Sequence, residues 1–362
     1  MRVKEARDAA RRWVIEEASG VSGFCGAYTA GSTNWLPDDA ELTRASDLDI
    51  MVVVADQNQT RRRHKFIYRD TLLEVSYLGN NQLQSPDQIL SDYHLAPSFR
   101  TTKILLDPSG HLTALLTMVR RDYAKRQWVC ERCTNARNRV LQYLRSIREE
   151  AELHDQVIAW LFAAGITTHI LLVAGLRNPT VRSRYAAVRE LLTGYGHVEF
   201  HESLLELLGV ARMSRDRVGQ HLATLIDIFD RAKHTIKAPF SFATDISENA
   251  RFMTIDGSFE MIERGYHREA MFWIAVTHSR CQKVSLCDTP AGMTQTFGDS
   301  YRELVSGLRV SSAKEVRRRC ADVELILPGV WQLAEAIVAT NHEIESDRAE
   351  PASNPDGAPQ NE

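Results

Sequence analysis

Apolar positions fall at helical spacing over residues 4–19, where Ala9, Ala10, Trp13, Val14 and Ala18 share roughly one face and Gly20 supplies a stop. Short apolar runs of another kind follow. Residues 23–30, 48–54, 66–69 paired with 72–78, and 103–106 read as strands, and Asp107-Pro108-Ser109-Gly110 is turn chemistry leading into a helix near residue 109. Beyond residue 117 the period is almost wholly helical. It predicts helices over 117–148, 152–164, 166–175, 180–193, 199–208, 214–236, 247–264, 267–284, 297–307 and 313–340. The pattern therefore predicts an α+β chain: a mixed sheet with flanking helices over 1–118, an all-helical domain over 119–342, and a disordered acidic tail over 343–362.

One stretch needs separate treatment, because residues 156–176 contain no Asp, Glu, Lys or Arg and are long enough to cross a bilayer. Gly165, Thr167, Thr168 and His169 interrupt it, and neither flank carries a basic cluster. Two buried helices meeting at Gly165 are the expectation.

Composition changes this picture little. Hydrophobic residues at 44% and charged residues at 25% are those of an ordinary globular chain, which excludes collagen-like, coiled-coil and wholly disordered architectures. Six cysteines in 362 residues are too sparse for a disulfide framework, and no signal-peptide core follows Met1, so the expected setting is the reducing cytoplasm. The formal charge of −3 is concentrated at the C-terminus, so no global basic field advertises nucleic acid.

Candidate chemistry gathers in the N-terminal third. Ser46-Asp47-Leu48-Asp49 opens the apolar run 48–54, and residues i and i+2 of a strand share a face, so Asp47 and Asp49 project together while Leu48 faces the core. Paired carboxylates repel unless a cation neutralises them, and hard oxygen ligands suit Mg2+. Upstream, Gly31 permits close backbone approach to a bulky anion, and Ser32 can donate to phosphate oxygens. A two-metal site needs a third acid from an adjacent strand. Glu74, the lone acid within 71–78 and on the face of Leu72, Ser76 and Leu78, is the candidate.

In this order the motifs resemble the nucleotidyltransferase superfamily of DNA polymerase beta type, and within it the small-molecule branch of aminoglycoside and kanamycin nucleotidyltransferases. The resemblance covers roughly residues 20–118, including the strand-turn-helix at Ile104-Leu105-Leu106-Asp107-Pro108-Ser109-Gly110. It implies a nucleotidyltransferase fold in which Asp47, Asp49 and Glu74 are catalytic and bind two Mg2+ ions, while Gly31 and Ser32 hold the phosphates of an NTP, ATP foremost. It further implies transfer of an NMP unit to a hydroxyl of an acceptor, a small molecule held against the helical domain. The loop over 33–46, which carries Asp38, Asp39 and Glu41, is a few residues longer than usual for that family. Two other readings compete: a transferase acting on RNA or a partner protein, and a nucleotide-binding regulator without turnover.

Further sequence features carry less weight. Cys130 and Cys133 with Cys281 and Cys287 offer four thiolates for zinc, but i, i+3 cysteines are ordinary on helices. The stretch 120–148 is rich in basic residues, among them Arg120, Arg121, Lys125 and Arg126, and the expectation is that it borders the carboxylate cleft. Glu131, Glu149, Glu150 and Glu152 stand equal as possible general bases.

Overall fold

The computed structural model describes residues 1–42, 46–55, 64–288 and 295–346. Part of the loop over 33–46, and the tail from 347 onward, lie outside these residues.

Helix α1 (Val3–Glu16) precedes β1 (Phe24–Ala30), β2 (Leu48–Val54), β3 (His64–Tyr68) and β4 (Thr71–Gly79). Two short helices, α2 (Pro86–Ser91) and α3 (Leu95–Thr101), lead to β5 (Ile104–Leu106) and α4 (His111–Asp122). The strands form one mixed sheet in the order β3-β4-β2-β1-β5. β2 runs parallel to β4, and the other pairings are antiparallel.

Two-residue periodicity decides which side each strand residue serves. Leu48, Ile50 and Val52 of β2, with Leu73 and Val75 of β4, pack beneath Ala6, Ala10, Trp13 and Val14 of α1. Val53 and Leu78, of opposite parity, join Ile89, Phe99, Leu112 and Val119 on the second face. Asp49 and Glu74 share that second parity but sit earlier on their strands than Val53 and Leu78. One face thus carries acids at one end and apolar core at the other. A two-residue turn joins β3 to β4, with Arg69 and Asp70 both at positive φ (48° and 60°) as a primed hairpin turn requires.

The remainder is helical: α5 (Arg126–Ser146), α6 (Leu153–Ala174), α7 (Arg184–Gly194), α8 (Val198–Leu208), α9 (Arg215–Thr235), α10 (Glu248–Arg251), α11 (Gly257–Glu263), α12 (His267–Asp288), α13 (Gln295–Leu308) and α14 (Ala313–Thr340). A single π-helical turn, Phe252–Asp256, joins α10 to α11. Residues from α5 through α14 contribute to one continuous apolar core.

The expected break at Gly165 does not occur: α6 runs through it, surrounded by α5, α7, α12 and α14. Tertiary packing overrides the local cost of glycine. A Cβ at Gly165 would lie 2.6 Å from Arg184 Nη1 and 2.8 Å from the Phe272 ring, so the bare backbone is what admits these buried side chains. Thr167 and Thr168 return their hydroxyls to the carbonyls of Ala164 and Gly165, which keeps them satisfied inside the helix. Burial within the protein therefore accounts for the uncharged stretch, and α14, the other helix among the described residues long and apolar enough to span a membrane, is less buried. Gly165→Ala is expected to destabilise the fold by about 1–3 kcal/mol, as overpacking does. Urea unfolding measures this, and an unchanged midpoint would refute it.

Two further expectations are corrected. The single helix over 117–148 is two, α4 and α5, separated at residues 123–125. The chain also remains docked past residue 342: Ile344 packs on the core, Glu345 N–H donates to the Ala124 carbonyl, and the Glu345 carbonyl accepts from Arg126 N–H.

Candidate metal centre

β1 ends in a fixed turn. The Thr29 hydroxyl donates to Asn34 Oδ1 at 2.6 Å and Asn34 Nδ2 donates back to the Thr29 carbonyl at 2.9 Å, while Lys103 N–H donates to the Thr29 hydroxyl. Arg7, buried in α1, donates to the carbonyls of Thr33 and Leu36 and pairs with Asp38. These bonds hold Gly31 at φ 73°, followed by an exposed Ser32 that opens a 3-10 turn over Ser32–Trp35. Asn34 and Arg7 are site-shaping residues that sequence reasoning missed. Asp38, from the long loop 33–46, is committed to Arg7.

The Asp49 carboxylate abuts this turn: a Cβ on Gly31 would fall 1.7 Å from Asp49 Oδ2. Gly31→Ala meets both that clash and a backbone region closed to L side chains, and is expected to cost about 1–3 kcal/mol. A thermal midpoint equal to the parent's would show that the turn does not need glycine.

Parallel pairing puts Asp49 directly beside Glu74 across β2 and β4. Asp47, just before β2, completes the group: each of the three residues offers an atom within 4.8 Å of the others. Among the described residues this is the one cluster of His, Cys, Asp or Glu arranged to hold a metal. Asp47 is 8% exposed and Glu74 3%, so their charges are sheltered from water. The donors are all carboxylate oxygens, a set that suits hard cations such as Mg2+, Mn2+ or Ca2+. The sequence expectation for Asp47, Asp49 and Glu74 thus holds as a spatial grouping, with Gly31 in contact and Ser32 next to it.

Sequence reasoning missed Lys65 entirely. On β3 it stands opposite Glu74. Its ammonium bonds Asp47 Oδ2 at 2.8 Å and Glu74 Oε2 at 2.5 Å, with the side chain only 1% exposed. The helical half closes over it: Met253 Sδ of the π turn lies 3.5 Å from Lys65 Nζ, and Asn249 of α10 donates to the Lys65 carbonyl at 3.2 Å. α10 and the π turn are held in turn by Arg251 on Asp230 of α9 and by Arg182 on the Met253 carbonyl. A π turn inside a helix is frequently a feature of functional sites, and this one touches Lys65, which bonds two of the acids.

The basic stretch takes a different place from the expected one. α5 packs on α6, α2 and α14. Arg120 donates to the carbonyls of Arg100 and Thr102, and fully buried Arg132 to those of Leu90 and Tyr123. Arg121 forks onto Asp122 and, with Lys125, holds its carboxyl down at about 2. These cations are spent on backbone carbonyls and on one carboxylate, and the helical segment that touches Lys65 beside the acids is 249–253. Among the possible bases, Glu149 pairs with Arg317.

Compared with known proteins, the chain matches no family model and no curated protein.

Proposed function

We propose that the chain is a Mg2+-dependent nucleotidyltransferase of the cytoplasm that moves an NMP unit from an NTP, ATP foremost, to a hydroxyl of a small acceptor. The observation that carries this reading is the junction of three carboxylates with a glycine turn. Asp47, Asp49 and Glu74 converge within 4.8 Å, and Gly31 abuts Asp49 with no side chain between them. An acid cluster alone is commonplace, but an acid cluster against a bare, left-handed turn leaves room for an anion beside a cation.

Asp47, Asp49 and Glu74 would hold Mg2+, which when bound supplies positive charge against the phosphate that is transferred. Gly31 lets the backbone approach the β- and γ-phosphates, and the exposed Ser32 hydroxyl and amide donate to them. Asn34, Thr29 and Arg7 keep that turn from relaxing when the anion departs. The π turn, with Met253, walls Lys65, and through it the Asp47–Glu74 side of the site, on the helical side. A closed wall of this kind favours a small acceptor over RNA or a partner protein, and retention of all three acids with Gly31 and Ser32 argues against a regulator without turnover.

Incubating the full chain with α-labelled NTPs, Mg2+ and a panel of hydroxyl-bearing acceptors tests the reading. Labelled acceptor with release of pyrophosphate is expected. Absence of both nucleotide binding and transfer across the panel would overturn it.

A further inference from the structure

Building on the transferase reading, we propose that Lys65 is a resident counter-ion occupying the Asp47–Glu74 side of the acid cluster, so that the site takes one divalent cation, on Asp47 and Asp49, rather than two. Lys65 then stands as the second positive charge, a positioning residue fixed by the fold.

Placement supports this first. Lys65 is the cross-strand neighbour of Glu74, and a two-residue turn at Arg69 and Asp70 sets that register, so the ammonium is delivered by the sheet itself. Contacts support it second: Nζ bonds one oxygen of Asp47 and one of Glu74, bridging the two acids that would otherwise share an ion. Enclosure supports it third. The Lys65 side chain is 1% exposed, Met253 Sδ stands 3.5 Å from its end, and Asn249 ties its backbone to α10. Leaving the acids would strand a charge against a thioether, which is strongly disfavoured.

Asp49 is the acid that abuts Gly31, which places it on the side of the turn assigned to the phosphates.

The test counts bound Mn2+, seen by electron paramagnetic resonance, on the full chain saturated with α,β-methylene-ATP. One ion per chain is expected for the wild type and two for Lys65→Met, whose thioether keeps the length and removes the charge. A wild-type count of two overturns the proposal and leaves the transferase reading standing, because the lysine is then displaced on loading. A wild-type count of zero without nucleotide binding overturns both. A folded Lys65→Met that still binds one ion removes Lys65 from the role, and if that variant does not fold, the wild-type count decides alone.

Discussion

Asp49→Asn is expected to fold as the parent does and to lose metal-dependent transfer by about 10³-fold or more, since preorganised charge of this kind dominates such reactions. The replacement preserves shape, so the contact with Gly31 survives, as does the parallel register with Glu74. What disappears is one negative charge from a cluster already partly neutralised by Lys65. The measurement is consumption of α-labelled NTP at matched Mg2+, with circular dichroism to verify the fold. Unchanged consumption by a folded variant would remove Asp49 from the centre.

Acid is expected to weaken the helical half well before the carboxylates titrate. Burial, together with neighbouring His221, pushes His278 down from 6.5 to about 3, and burial likewise lowers His154, His169, His201 and His221. A histidine kept neutral in the fold but free to protonate when unfolded contributes its full stability above pH 6.5 and loses it as the pH falls towards the folded value. For His278 alone the loss between pH 7 and pH 5 is about 2 kcal/mol. Urea unfolding at pH 7, 6 and 5 should show a steadily falling midpoint, and a flat profile across that window would exclude buried neutral histidines as its cause. Asp122, held down at about 2, contributes its full stability above the usual carboxylate range and loses it only as the pH falls below that range, so it is separable from the histidines on that ground.

The acids were legible in the sequence because strand parity is a local rule. The run 48–54 coincides with β2, and Asp47 and Asp49 needed only the two-residue period to be placed on one face. Glu74 followed from being the lone acid in its run. Lys65 was not legible: alone it reads as a solvated lysine, and its burial depends on cross-strand pairing and on Met253, which lies 188 residues further along the chain. The same limit governs α6, where Gly165 and two threonines read locally as a break and only Arg184 and Phe272 explain continuity. Helices α2 and α3, of six and seven residues, are too short for a period to register. The arginines of 120–148 misled for a related reason, since composition shows a charge but not the carbonyl that consumes it.

The uncharged α6 also has a consequence during synthesis. Its shell is completed by α12 and α14, and the latter ends at Thr340, far downstream of Ala174. At roughly 5–20 residues per second, a ribosome needs on the order of 10–30 s to deliver that covering. For that interval the nascent chain displays a helix as apolar as a membrane anchor, sheltered by α5 and then by α7 and α8 but not yet by α12 and α14. Until α12 and α14 arrive, that segment offers an uncovered apolar surface of the kind that chaperones hold.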